Sequence, residues 1–185
     1  MLKAKILVIG PCDSGKSVLS NFLAEASDIS GGAYHPTQGA RILEFESNGS
    51  WTGNRTSTAE VEMWDCSGDT KFDECWPSLA KDAHGIILVY NPDQLNHERE
   101  LETWYNHFVY NQGIKDSQCL IFGYFKPGAA ARRVNIPNPL AKVRHVECNL
   151  DNDPDGTRRD FKAFLMKVFS NISHRQNEEE LSIIQ

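Results

Sequence analysis

The sequence predicts an α/β fold: a six-stranded, mostly parallel sheet with helices on both faces and one antiparallel edge strand. Three observations carry that expectation. Short apolar runs without polar alternation, Ile6 to Ile9, Gly85 to Tyr90 and Cys119 to Tyr124, suit strands buried on both faces. Stretches with apolar residues at helical spacing lie between and after them, the clearest being Phe161, Phe164, Leu165, Val168, Phe169 and Ile172. Alternating segments at Arg41 to Glu46 and Glu60 to Trp64, joined by Ser-Asn-Gly-Ser and Gly-Asn-Arg-Thr clusters, read as a hairpin that supplies the antiparallel pair.

Taken in order, the first strand runs straight into Gly10, and Val18, Leu19, Phe22, Leu23 and Ala26 then mark a helix over residues 16 to 26. The hairpin gives the second and third strands, and the apolar run ending at Tyr90 the fourth. A helix is expected at about 94 to 111, with Leu101, Trp104, Phe108 and Val109 on one face. After the fifth strand, Pro137-Asn138-Pro139 interrupts any helix, so the element before the sixth strand, Lys142 to Cys148, should be short or irregular. Residues 1 to 173 are expected to form one domain, and residues 174 to 185, with Glu178, Glu179 and Glu180, a polar tail.

Composition narrows the function. A length of 185 residues, 40% apolar and 24% charged, fits one ordinary globular domain. A formal charge of −6 opposes the attraction that drives nucleic-acid binding, so no nucleic-acid partner is expected. No apolar run approaches the ~20 residues of a membrane span. Residue 2 is Leu and no cysteine stands near the end, so the usual myristoyl and prenyl signals are missing and no direct membrane anchor is expected. Cys12, Cys66, Cys75, Cys119 and Cys148 have no paired metal spacing and read as reduced thiols of a cytoplasmic protein.

The chemistry concentrates at the first strand-to-helix junction. Gly10-Pro11-Cys12-Asp13-Ser14-Gly15-Lys16-Ser17, followed by Val18, fits G-x-x-x-x-G-K-[ST], in which main-chain N–H groups wrap phosphates, a lysine neutralises charge and a hydroxyl meets Mg²⁺. A helix-capping turn with a surface lysine is the plainer reading of the same residues. Tyr34-His35-Pro36-Thr37 lies in a polar stretch where a hydroxyl could join Ser17 on a metal, or simply face solvent. Asp65 ends the third strand ahead of Cys66-Ser67-Gly68, bringing a carboxylate and a flexible N–H to the same sheet edge; otherwise it is a turn former.

Together these positions resemble the Ras-type small GTPases, with the phosphate loop, a switch-one Thr and a switch-two Asp-x-x-Gly at similar separations over roughly residues 4 to 172. The resemblance implies the P-loop small GTPase fold and GTP/GDP with Mg²⁺ as cofactors. It also implies that Lys16 contacts the terminal phosphates, Ser17, Thr37 and Asp65 serve the metal, Gly68 senses the γ-phosphate, and Tyr34 lies over the nucleotide. Departures are informative. Asp69 occupies the position of the Gln that orients the attacking water, so weak hydrolysis is expected and no catalytic residue is certain. The guanine-reading Asn-Lys-x-Asp becomes Phe125-Lys126-Pro127-Gly128, leaving Lys126, or an ordinary solvated lysine, and putting guanine preference in doubt. Glu147-Cys148-Asn149-Leu150 aligns with the family's Glu-Thr-Ser-Ala, where an N–H near Leu150 could meet the base.

These departures, with Pro36-Thr37-Gln38-Gly39, Trp64-Asp65-Cys66, Cys75-Trp76-Pro77 and Lys81-Asp82-Ala83-His84-Gly85, resemble the Rab-like GTPases of intraflagellar transport over the whole chain. That resemblance implies a subunit of the B complex in the cilium and at its base, required for cilium assembly. It further implies docking on the coiled-coil pair of that complex according to nucleotide state, with the isolated chain expected to be a monomer. Four functions follow as alternatives: a nucleotide-dependent binding module, a GTPase completed by its partner, a scaffold indifferent to nucleotide, and a P-loop kinase. Among other side chains, Trp76 is either a partner anchor or core, Trp104 and Phe108 are core, His35 is the one histidine near the phosphate loop, and Arg132 and Arg133 read as solvated or as a phosphate contact.

Overall fold

The structure is a computed structural model that describes residues 2–26, 35–51, 56–129 and 134–183. Six strands form one sheet: β1 (Leu2–Ile9), β2 (Ala40–Gly49), β3 (Ser57–Cys66), β4 (Gly85–Tyr90), β5 (Cys119–Tyr124) and β6 (Arg144–Cys148). Their order across the sheet is β2-β3-β1-β4-β5-β6. Among the described residues only the β2–β3 pair is antiparallel, with Arg41 opposite Asp65 and Phe45 opposite Val61. All other neighbours are parallel, and the unbroken apolar runs of β4 and β5 lie in the interior of the sheet, covered on both faces.

The period-2 alternation of side chains divides the interior into two layers. Ile6, Val8, Ile87, Val89, Leu120 and Phe122 face helices α1 (Lys16–Leu23) and α4 (Pro154–Ile183). Leu7, Ile9, Ile86, Leu88 and Ile121 face the other way, toward α2 (Trp76–Ala80) and α3 (His97–Tyr105). Phe161, Phe164, Leu165, Val168, Phe169 and Ile172 of α4 are all buried, which is the stripe their spacing predicts. Each such side chain contributes roughly 1.5–3 kcal/mol over its exposed state. Trp51, at the end of β2, closes this layer with its ring 4.9 Å from that of Phe169.

Boundaries differ from the sequence expectation where side chains carry no periodic signal. Strands β2 and β3 extend to Gly49 and back to Ser57, because main-chain pairing continues through polar residues up to the Asn48–Thr58 side-chain hydrogen bond of 2.7 Å. Helix α1 stops at Leu23. The last helix continues through residues 174–182, the stretch read as a polar tail, to Ile183. Glu, Gln and Arg hold helical geometry at little entropic cost once a docked helix has been nucleated. Helix α3 passes into a π turn at Asn106–Tyr110, and the segment before β6 is a single 3₁₀ turn at Asn138–Leu140 beside Pro137.

Trp76 is 6% exposed and stacks among Trp104, Phe108 and His107, with centroid distances of 4.6, 5.4 and 4.9 Å. Its place is therefore in the core, where it joins α2 to α3. All five cysteines are free thiols, and Cys12 and Cys75 are the exposed ones. Among the described residues no helix is long and apolar enough to cross a membrane.

Candidate functional site

The carboxyl ends of β1 and β3 and the start of α1 meet at one cavity of about 280 Å³. Two glycines make the junction possible. Gly10 has φ +143° and lies so close to β4 that a Cβ would fall 2.0 Å from the Val89 carbonyl oxygen. Gly15 has φ +95°, and a Cβ there would meet the Tyr124 ring at 2.2 Å. Both conformations are costly for a residue with a side chain. The loop between them turns the N-terminus of α1 toward the cavity, an arrangement suited to anions.

Cys12, Asp13, Ser14, Gly15, Lys16, Ser17 and Val18 line the cavity on one side, Pro36, Thr37 and Gln38 on another, and Cys66, Ser67, Gly68, Asp69 and Lys71 on a third. Lys16 is 7% exposed, and its ammonium donates to the Pro11 carbonyl at 2.6 Å and to Ser14 Oγ at 3.4 Å. Burial pushes its pKa down, with the Asp65 charge opposing. An ammonium held by a carbonyl and a hydroxyl keeps donor capacity for a further acceptor, since it carries three protons. Gly68 packs flat on the loop: a Cβ would come within 2.4 Å of the Cys12 amide nitrogen.

A second group gathers beside the lysine. Ser17 Oγ donates to Asp65 Oδ2 at 2.7 Å and lies 3.0 Å from Thr37 Oγ1. The Asp65 side chain is wholly buried; burial raises its pKa, while the Ser17 hydrogen bond and then the Arg41 and Lys16 charges favour the ionised form. Its Oδ1 is buried and has no hydrogen-bond partner among the described residues. Two hydroxyls and a carboxylate with an unsatisfied oxygen are a hard-oxygen set that fits Mg²⁺, a cation normally held by one or two carboxylates plus phosphate oxygens. Cys66, beside it, has its thiol pushed up to about 12 by burial and so stays protonated.

The other expected residues are placed differently. Asp69 accepts the Lys71 N–H at 3.0 Å through Oδ1 and pairs with the Lys71 ammonium at 3.2 Å through Oδ2. Both oxygens are thus engaged by a neighbour two residues on. Lys126 reaches the rim of the loop through an ion pair with Asp13 at 3.8 Å, both side chains being exposed. Asn149 and Leu150 do not line the cavity: Asn149 Oδ1 accepts from the N–H groups of Asp151 and Asn152, and Leu150 packs on the apolar layer. His35 is exposed. Tyr34, Arg132 and Arg133 lie outside the described residues. Arg41 and Lys71 reach the site without a signal in the sequence, because a charged residue in a strand or loop reads as solvated until its partner, here Asp65 and Asp69, is known.

Comparison with known proteins agrees with this geometry. The family model described as Ras of Complex, Roc, domain of DAPkinase matches residues 5–124. The intraflagellar transport protein 22 homolog of Bos taurus is 47% identical over 186 residues, spanning 100% of both chains. The homolog of Homo sapiens is 45% identical over the same span. Intraflagellar transport protein 22 of Trypanosoma brucei brucei is 34% identical over 98% of this chain and 91% of its own length. Among solved structures, one described as "T. brucei IFT22/74/81 GTP-bound crystal structure" superposes with a TM-score of 0.75 at 32% identity, covering 94% of this chain and 98% of that one. A second, "T. brucei IFT22 GDP-bound crystal structure", gives a TM-score of 0.70 at 31% identity over 91% and 97%. With full-length identity of this order and a Ras-type domain match across most of the sheet, the chain belongs to the Rab-like intraflagellar transport protein 22 family of GTPase-domain proteins.

Proposed function

We propose that the chain is a nucleotide-dependent subunit of the intraflagellar transport B complex that binds Mg²⁺-GTP, hydrolyses it slowly by itself, and docks on a coiled-coil partner pair. The observation that carries this reading is the convergence of Lys16, Ser17 and Thr37 on one cavity at the strand-to-helix junction, with the buried Asp65 accepting a hydrogen bond from Ser17 behind its wall. Support for the partner comes from the structural neighbour whose description places IFT22 with IFT74/81 in a GTP-bound state.

In this reading the loop amides and Lys16 hold the polyphosphate, and Ser17, Thr37 and Asp65 hold Mg²⁺, which when bound offsets charge on the phosphate oxygens. Thr37 and Gly68, from segments on opposite sides of the cavity, would meet the terminal phosphate, so its presence is felt by both flanking segments. Residues 1 to 173 form the nucleotide-binding domain, and 174 to 185 a polar extension. The protein acts in the cytoplasm, the cilium and its base, without a nucleic-acid partner, and is monomeric when isolated.

Slow hydrolysis follows from Asp69 standing where the family has the water-orienting Gln, its carboxylate bonded to Lys71. The test is mass spectrometry of nucleotide released from purified protein, followed by single-turnover kinetics. Guanine nucleotide with slow turnover is the expected result. Turnover near that of partner-stimulated GTPases would replace this reading by an enzyme complete in itself, and equal partner affinity with and without nucleotide would leave a scaffold.

A further inference from the structure

Asp65 carries a second cation that the family pattern does not supply. Arg41, the second residue of β2, stands directly across from it in the antiparallel pair. One guanidinium nitrogen lies 3.2 Å from Asp65 Oδ2 and also donates to Asn21 Oδ1 of α1 at 2.7 Å. The same Asp65 oxygen accepts from Ser17 at 2.7 Å. The Asp65 side chain has no exposure, whereas Arg41 is 42% exposed. A wholly buried carboxylate is therefore matched to a positive charge held in place by a third element.

We infer that Arg41 is a positioning residue that sets how strongly nucleotide binding depends on Mg²⁺, a role resting on the reading of the cavity as a Mg²⁺-nucleotide site. Two electrostatic consequences act in the same direction. With Arg41 in place the Asp65 charge is partly neutralised, so a polyphosphate entering without metal meets less repulsion from the buried carboxylate. The same guanidinium repels a divalent cation sharing Asp65, so the metal gains less from that ligand than it would from an unpaired one. Arg41 thus narrows the gap between metal-bound and metal-free affinities. Its hydrogen bond to Asn21 fixes the guanidinium against α1 and keeps it on Asp65 rather than in solvent.

The experiment measures GTP and GDP dissociation constants of the full chain in excess Mg²⁺ and in EDTA, for the natural protein, Arg41→Gln, Arg41→Lys and Asn21→Ala. Arg41→Gln is expected to raise the ratio of the EDTA to the Mg²⁺ constant about two- to fivefold, the scale of a half-exposed charge pair. Arg41→Lys, which keeps the charge but loses the planar fork, should fall between. A folded Arg41→Gln protein with an unchanged ratio overturns the role. Should that variant fail to fold, Asn21→Ala decides: it releases the guanidinium without removing charge, and an unchanged ratio there is equally fatal. Natural protein that binds neither nucleotide in either buffer would refute the site reading and with it the role of Arg41, an outcome distinct from normal binding with an unaltered ratio.

Discussion

The two regions that the proposed function assigns to the phosphates and to the base are built to different standards. On the phosphate side, two glycines that tolerate no side chain, a buried lysine and a buried aspartate are locked by hydrogen bonds of 2.6 and 2.7 Å. On the base side stand an exposed lysine in a 3.8 Å ion pair, an asparagine spent on a local turn, and Phe125, buried in the apolar interior where the family places a polar reader. The difference teaches that the fold invests its rigidity where charge must be handled. Under the proposed function, the phosphates would meet a rigid cradle and the base few side chains placed to read it.

Three substitutions probe that contrast. Lys16→Ala should weaken nucleotide binding on the order of a hundredfold by calorimetry, since it removes a charged hydrogen bond of about 1.5–3 kcal/mol from a water-poor site. A loss below about threefold would erase the contrast. Ser17→Asn should cost about tenfold in Mg²⁺ and little in EDTA, because an amide is a poorer partner for a hard cation beside Asp65. Equal losses in both buffers would assign Ser17 to the phosphates instead. Lys126→Ala should change affinity by less than about threefold, as an exposed pair with Asp13 contributes little. A larger effect with GTP than with ITP or ATP would return the base side to importance.

How much of this was readable before any coordinates depended on what each residue's signal consists of. Strands β4 and β5 match the sequence reading residue for residue, because a strand buried on both faces is an unbroken apolar run. The phosphate loop was legible because its glycines and lysine are required by geometry and charge rather than by packing. The outer parts of β2 and β3 were not, since pairing through Asn48 and Thr58 uses main-chain groups that every residue shares. Nor was the course of α4 beyond Ile172, where helix persists without an apolar stripe to mark it. Arg41 and Lys71 carry no sequence signal for a related reason: their meaning lies in the partners Asp65 and Asp69, and the Arg41 partner depends on strand register. Asn149 shows a further limit: its side chain accepts from the turn that precedes α4, a local bond that the resemblance to Glu-Thr-Ser-Ala does not display.

The seating of Trp76 against Trp104 gives the molecule an optical handle. Two indoles 4.6 Å apart at 44° form a coupled chromophore, one half carried by the segment that follows Gly68 and the other by the helix beneath it. Any rearrangement that slides α2 along α3 must alter that coupling, while one confined to residues 67–75 leaves it intact. Near-ultraviolet circular dichroism of the native chain can therefore tell a moving helix from a moving loop, with no label attached.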